Sequence, residues 1–541
     1  MAKLLTIILS ALLITPQPVS QQPVMQDGSQ VVFTADLSAL NVKSADRRFD
    51  NLVDTWASFM AGSGHDSIVI KNTWFASKAQ VVINYDPSLE KEEYEIVMGE
   101  RSISVKASDT RGAWWAMQTL TQLFVSHLDK APSADKPASQ ASVVSIPAEV
   151  IKDKPYFAYR GAHLDCSRHF WTVDEIKKFI DAMCVHKLSV FHWHLTDDQG
   201  WRIEIKKYPL LSTISTTRKE TLVGHGGKTP RVYDGTPYGE GMYYTQDQIR
   251  EIVAYASARQ IDIMPEIEMP GHMIAALAAY PQMGCTGGPY EVWTRWGVSE
   301  DVICLGKDES YQFIEDVLAE VCELFPYKYI HIGGDEAPVV RRKSCPHCQA
   351  KMKELGLQSE VQLQGHLISR VEKFLKTRNR EIVGWNEILD AGVSPDAIIM
   401  SWQGDGKSGI RAAKQGNRVI MTPGSHFYFD YYQTPDPKAN GEPLAFGGCV
   451  TLEKVYGYNP YTGLNAEQSK YILGVQANTW TEYMPTFSQV MLMDMPRFAS
   501  LAEVGWRLDR GPYGSFHSRV RASMLPVYDY FSFNYAKYEF K

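Results

Sequence analysis

Residues 327–338 read YKYIHIGGDEAP. The apolar run Tyr329-Ile330-His331-Ile332 has the length of a buried strand, and Gly333-Gly334 marks where it stops. Two adjacent carboxylates, Asp335 and Glu336, therefore stand at the open end of a strand. Similar strand-like runs lie on either side. YFAYRGAHLD leads into the helix-like TVDEIKKFIDAMCVHK. LSVFHWHL is followed by a long polar insertion (196–244) and the helix TQDQIREIVAYASARQ. IDIMPEIEMP precedes a loop and SYQFIEDVLAEVCELF. Four more strands, EIVGWNEI, AIIMSWQG, RVIMTPG and YILGVQANTW, complete a set of eight. Alternation of β and α on this scale predicts an α/β chain with a (β/α)₈ barrel. The alternative is an open doubly wound sheet, but no Gly-rich phosphate turn follows the first strand.

Outside the barrel the pattern changes. VVFTADL, AQVVINY, YEIVMG and SISVKAS are strand-like, and 111–128 has helical spacing of Trp115, Leu120 and Leu123, which predicts a smaller α+β domain over 21–150. A Pro-, Ser- and Ala-rich stretch, 129–142, is expected to be a loop near the boundary. The start, MAKLLTIILSALLITPQPVSQQ, has one Lys, an apolar stretch and then Pro, Gln and Ser, as a secretory signal does. The expected layout is a signal over 1–20, the α+β domain over 21–150, the barrel over 151–506 and a tail packed on the barrel over 507–541. Export to the periplasm or the medium follows, and no later run is long enough to span a bilayer.

The 541 residues carry a net charge of -7 without a Lys/Arg block, which argues against a nucleic-acid partner. Eight Cys are too sparse for a disulfide scaffold. CPHC at 345–348 has the form of half a zinc site, but no second pair follows at finger spacing, so a local disulfide or free thiols compete with it. Cys285 and Cys304 bracket a loop and are a candidate bridge. HWH at 192–194 places two His on one strand face, yet nothing fixes a tetrahedral set. No metal and no cofactor are expected.

The unusual polar residues gather at or past strand ends: Arg160 and Asp165; His194, Asp197 and Asp198; Glu266, Glu268 and His272; Asp335 and Glu336; Trp385 and Glu387; Trp402; Trp480 and Glu482. Singly, an Asp there caps a helix and a Trp fills the barrel mouth. Together they predict a pocket at the rim where barrel enzymes carry chemistry. Acids, an Arg and indoles suit a neutral polyhydroxylated ligand. No GxSxG, HExxH or P-loop is present. Glycoside cleavage normally takes two carboxylates about 5 Å or more apart across the bond. Neighbours such as Asp335 and Glu336 cannot easily straddle a sugar. They suffice if the substrate supplies the attacking group, as a 2-acetamido oxygen can. Glu336 would then protonate the leaving oxygen, and Asp335 would hold the acetamido N–H. Asp335 beside it, with aromatic surroundings, is expected to raise the Glu336 pKa.

YRGAHLDCSRHF, FHWHLTDDQGWRIEIKKYP, MPEIEMPGH, IHIGGDEAP, GWNEIL, SWQG, YFDYYQ and QANTWTE, in this order, resemble the family 20 glycoside hydrolases, the β-N-acetylhexosaminidases. The resemblance implies a retaining, exo-acting release of terminal β-linked GlcNAc or GalNAc from glycans. It implies that Arg160 binds the sugar's 3- and 4-hydroxyls and that Asp197 pairs with His272 next to the acid. Trp385 and Trp402 would wall the acetamido pocket and Trp480 would stack under the ring. Tyr428 would donate to the acetamido carbonyl, and Asp430 and Glu482 would bind outer hydroxyls. A disaccharide-releasing member of the same family and a non-catalytic sugar-binding protein are the competing readings.

Overall fold

The computed structural model of the chain describes residues 12–128 and 142–541. Eight parallel strands close into a barrel: β1 (Tyr159–Asp165), β2 (Val190–His194), β3 (Asp262–Glu266), β4 (Tyr329–His331), β5 (Glu381–Trp385), β6 (Ile398–Ser401), β7 (Val419–Met421) and β8 (Ile472–Thr479). Each pairs with its sequence neighbour, and β8 returns to β1. The strands read as continuous apolar runs because helices cover the outer face and side chains fill the inner one. Tyr159, Val190, Met264, Tyr329, Val383, Ile398, Met400 and Ile420 pack together inside, with Trp385 above them in the same cluster.

The register sets the rim. Asp165 lies opposite His194, His194 opposite Glu266, and Glu266 opposite His331. Polar residues that end four separate strands therefore share one level. Crossover helices start where the sequence offers caps. Thr172 and Glu175 form a capping box ahead of Val173–Val185, and Thr245 and Gln248 do the same for Gln246–Ala258.

Upstream, a seven-stranded mixed sheet has the order 20–23, 149–153, 94–98, 103–107, 81–85, 40–44, 70–72. The strands expected near 81–85, 94–98 and 103–107 are there, as is the helix, Thr110–His127. Every residue of that helix from Gly112 to Val125 is buried. One side meets the sheet and another meets the C-terminal helix Tyr513–Tyr530.

Both chain ends make contacts beyond those expected. The tail after 506 is not confined to the barrel: Tyr513–Tyr530 packs on Thr110–His127, while Tyr528 Oη meets the barrel-helix His186 Nε2 at 2.8 Å. Residues within the expected signal also take part in the packing. Leu12, Ile14 and Thr15 are buried, the Leu12 N–H donates to Glu149 and the Thr15 N–H donates to Gln122. Residues 1–11 of the expected signal, and 129–141 of the expected loop, lie outside the described residues. Among the described residues no helix is long and apolar enough to cross a membrane.

Candidate active site

A cleft opens at the C-terminal rim, lined by residues from the ends of all eight strands and the loops that follow them. Its walls hold Asp197, His272, Asp335, Glu336, Trp385, Trp402, Tyr428, Asp430, Trp480 and Glu482. These are the residues expected from the sequence, with one exception and three additions.

The exception is Arg160. It is the second residue of β1 and so belongs to the opposite end of the barrel. There it is fully buried, paired with Glu92 at 3.1 Å and set between Trp115 and Trp506, with its guanidinium carbon 5.3 and 5.0 Å from the rings. It joins the α+β domain to the barrel floor. The arginine in the cleft is Arg168, three residues beyond β1 in the same YRGAHLDCSRHF stretch. Strand polarity was the available signal: only a residue after the C-terminal end of β1 can reach the rim. The other additions are Tyr431 and Phe446, whose rings stack with centroids 5.5 Å apart. Tyr431 sits within YFDYYQ; Phe446 lies in a loop without a readable pattern.

The acid pair is held by its backbone. Gly333 and Gly334 have φ of +63° and +94°, and a Cβ on Gly333 would fall 1.8 Å from Glu268 Oε2. Only glycine fits. Glu336 (φ +40°) and His272 (φ +52°) occupy the same left-handed region without being glycine. Strain of this kind, on the order of 1–3 kcal/mol per residue, persists where surrounding contacts fix it. Here His272 Nε2 faces Glu336 Oε2 at 3.4 Å and Asp335 Oδ2 at 3.7 Å.

His272 in turn is gripped from behind. Its Nδ1 lies 3.1 Å from Asp197 Oδ1 and 3.3 Å from Asp198 Oδ2. Burial opposes its charge, but Asp197, with hydrogen bonds to Asp198 and Glu336, holds the imidazolium pKa well above the usual range. Asp197 is the ionised partner. Burial works against its charge too, yet Arg168, His272 and His194 keep its pKa well below the usual carboxylate range. Asp198 is pushed up by burial. Behind these, Glu266 accepts from His194 Nδ1 at 2.6 Å and from Trp385 Nε1 at 2.8 Å, and His331 Nδ1, which accepts from the Gly333 N–H, lies 2.8 Å from it. This inward-facing network orients Trp385 and the histidine layer beneath the cleft.

The two carboxylates of the pair differ. Asp335 is buried, and burial, with Glu387, Glu336 and Glu266 nearby, pushes its pKa up to about 8 against the pull of His272. Its Oδ1 has no hydrogen-bond partner. The Glu336 side chain is 38% exposed. The turn directs Glu336 toward the opening and Asp335 inward, so the burial falls on Asp335. Glu387, hydrogen-bonded by Trp402 Nε1 at 2.9 Å, is raised by burial to about 7.

On the far side Arg168 bridges Asp197 at 2.8 Å and Asp165 at 3.2 Å, approaches Glu482 at 3.8 Å and lies 5.1 Å from the Trp480 ring. Asp430 Oδ1 and Glu482 Oε2 are buried without partners, and burial and mutual repulsion raise the Asp430 pKa well above its ordinary value. Trp402 and Tyr428 stack at 5.9 Å, and Trp385 and Trp480 stand 5.9 Å apart across the floor. Unpaired acceptors at both ends of an aromatic box suit a ligand that carries hydroxyls and an N–H on an otherwise apolar ring.

A rim of carboxylates and indoles on a (β/α)₈ barrel is the architecture of carbohydrate-processing barrels. The model for the glycosyl hydrolase family 20 catalytic domain matches residues 157–508, and that for domain 2 of the same family matches 13–154. The chain therefore belongs to glycoside hydrolase family 20. It is 45% identical over 420 residues to a beta-hexosaminidase of Porphyromonas gingivalis, covering 77% of this chain and 51% of that protein, so it spans about half of that relative. Over 431 residues it is 35% identical to a beta-hexosaminidase of Vibrio furnissii, covering 79% and 67%. The crystal structure of a Vibrio harveyi exo-β-N-acetylglucosaminidase with N-acetylglucosamine superposes with a TM-score of 0.82 at 29% identity, covering 98% of this chain and 78% of that one. A β-N-acetylhexosaminidase from Bacteroides fragilis gives 0.78 at 26% identity, with 97% of each covered.

Proposed function

We propose that the protein is an exo-acting β-N-acetylhexosaminidase that uses the substrate's own acetamido oxygen as nucleophile. The observation that carries this is the Asp335–Glu336 pair: one carboxylate buried with an unpartnered oxygen, its neighbour open to the cleft. Asp335 Oδ1 accepts the acetamido N–H and stabilises the positive charge that grows on that group. The carbonyl oxygen bonds to C1 as the glycosidic C–O bond breaks, and Glu336 gives its proton to the departing oxygen. The product is a cyclic oxazolinium. Glu336, now a carboxylate, takes a proton from water as that water attacks C1 and reopens the ring. Two displacements leave the anomeric configuration unchanged.

Arg168, Asp430 and Glu482 meet on the buried side of the cleft and supply partners for outer hydroxyls, which favours a terminal sugar over an internal one. Support also comes from the relatives named β-hexosaminidase and from the GlcNAc-bound Vibrio harveyi structure. Product-anomer analysis by NMR on an aryl β-N-acetylglucosaminide tests the scheme. Retention is expected, with far slower cleavage of the matching β-glucoside; inversion, or equal rates on the two, would exclude it. Export is part of the same reading and is checked by locating the activity in extracytoplasmic fractions.

A further inference from the structure

Four cysteines from two separate segments of the chain meet at one point. Cys285 and Cys304 belong to the segment after β3, Cys345 and Cys348 to the segment after β4. Their sulfurs all lie within 4.8 Å of one another. Sγ–Sγ separations are 3.6 Å for Cys304–Cys345, 3.7 Å for Cys304–Cys348 and 3.8 Å for Cys285–Cys348. A disulfide has sulfurs about 2.05 Å apart. Four thiolates about 2.3 Å from one zinc ion have tetrahedral edges of about 3.8 Å. The observed separations match the second figure and not the first.

We propose that Cys285, Cys304, Cys345 and Cys348 bind a structural zinc ion that ties the β3 and β4 loops together. The surroundings are built for close approach. Cys304, Cys345 and Cys348 are buried. Gly306 lies against the CPHC backbone so closely that a Cβ there would fall 2.1 Å from the His347 carbonyl carbon. The Cys304 N–H donates to Met283 O, and Gly284 bridges Ile303, so the loop that begins at Cys285 is clasped where it returns. Arg342, also buried, supplies a nearby positive charge to Cys348 and Cys285. Binding exchanges four S–H protons for the metal and leaves a Zn(Cys)₄ unit of charge 2−, which the Arg342 guanidinium partly offsets.

The position gives the ion a structural role in the rim. The Ile303 N–H, next to Cys304, donates to Pro270 O, two residues from His272. Arg342 Nη2, on the segment that leads to Cys345, donates to Ala337 O at 2.6 Å, next to Glu336. One ion thereby braces the two turns that carry His272 and Glu336. It takes no part in the chemistry, so the inference stands apart from the reaction proposed above.

Elemental analysis of the purified full-length protein tests it. About one zinc per chain is expected, released by a thiol-modifying mercurial but not by dilution. Cobalt replacement should give the intense ligand-field absorption of a tetrahedral thiolate site. Cys345→Ser with Cys348→Ser should lose the zinc and lower the thermal midpoint. Cys285→Ser alone, at the more exposed position, is the milder variant should the double variant fail to fold, and it should lose the cobalt band. Intact-mass measurement under denaturing, non-reducing conditions supplies the decisive counter-result. Two disulfides among these four residues, or four free thiols in metal-free protein, would overturn the proposal, and stoichiometric iron in place of zinc would overturn the choice of metal.

Discussion

The two ends of the barrel use the same components for different ends. At the floor Arg160 pairs with Glu92 between two tryptophans. At the rim Arg168 pairs with Asp197 and approaches Glu482, over Trp480. Both arginines are buried and both sit against indoles. The difference lies in what is left unpaired. The Glu92 and Arg160 side chains have partners within the protein, including Lys187 O, Phe157 O and Trp115 Nε1. At the rim, Asp335 Oδ1, Asp430 Oδ1 and Glu482 Oε2 are buried acceptors without donors. Burial of a charged pair is therefore no mark of a site. Unpaired acceptors facing a cleft are, since they must be met by a ligand or by water that a ligand displaces.

The sharpest way to break that contrast is at the acid. Glu336→Gln should lower kcat on substrates with poor leaving groups by about 10²–10⁴ while the thermal midpoint holds. Steady-state kinetics that show near-normal turnover would remove Glu336 from its role. Asp335→Asn should cost about 10²–10³ in kcat, as loss of a stabilising group for developing charge does.

At the floor the prediction reverses. Arg160→Met leaves Glu92 buried with weaker compensation, and should destabilise the protein by about 3 kcal/mol in denaturant unfolding while KM is unchanged in the folded fraction. A raised KM with intact stability would return Arg160 to substrate binding. Arg168→Lys keeps the charge but loses the planar fork, and should reduce kcat/KM by roughly tenfold with a smaller effect on stability.

The smallest effect concerns pH. The Asp335 pKa stands at about 8 in the ligand-free fold against an ordinary value of 3.8. Between those values the folded state binds more protons than the unfolded state, so this group's contribution to stability falls as pH rises from about 4 toward 8. A donor from an acetamido N–H favours the carboxylate and pulls the pKa back down. The acidic limb of kcat should therefore lie at lower pH than that of kcat/KM, and the ligand-free thermal midpoint should lose part of its decline toward pH 8 in Asp335→Asn.

What was legible tracks the range of the information. IHIGGDEAP announces its chemistry because the strand, the left-handed glycines and both carboxylates are consecutive. The eight βα units show in local periodicity, so the barrel followed. Trp385, Trp402 and Trp480 all line the cleft because each ends a strand or directly follows one, and ends of parallel strands converge. Arg160 was misplaced because the residue type fits either end of β1, and only direction along the strand separates floor from rim. The inward turn of Asp335 and the outward turn of Glu336 depend on contacts with His272, some 60 residues away. Phe446 came from a loop with no period to read.

By itself, then, the sequence determined the barrel, the acid pair and the aromatic character of the pocket, since these rest on short-range order and residue chemistry. The tertiary structure decided which arginine serves the cleft, which carboxylate of the pair is buried, and that two cysteine pairs converge on one point. Those are matters of burial and of distance between segments remote along the chain, and they exist only once the strands close.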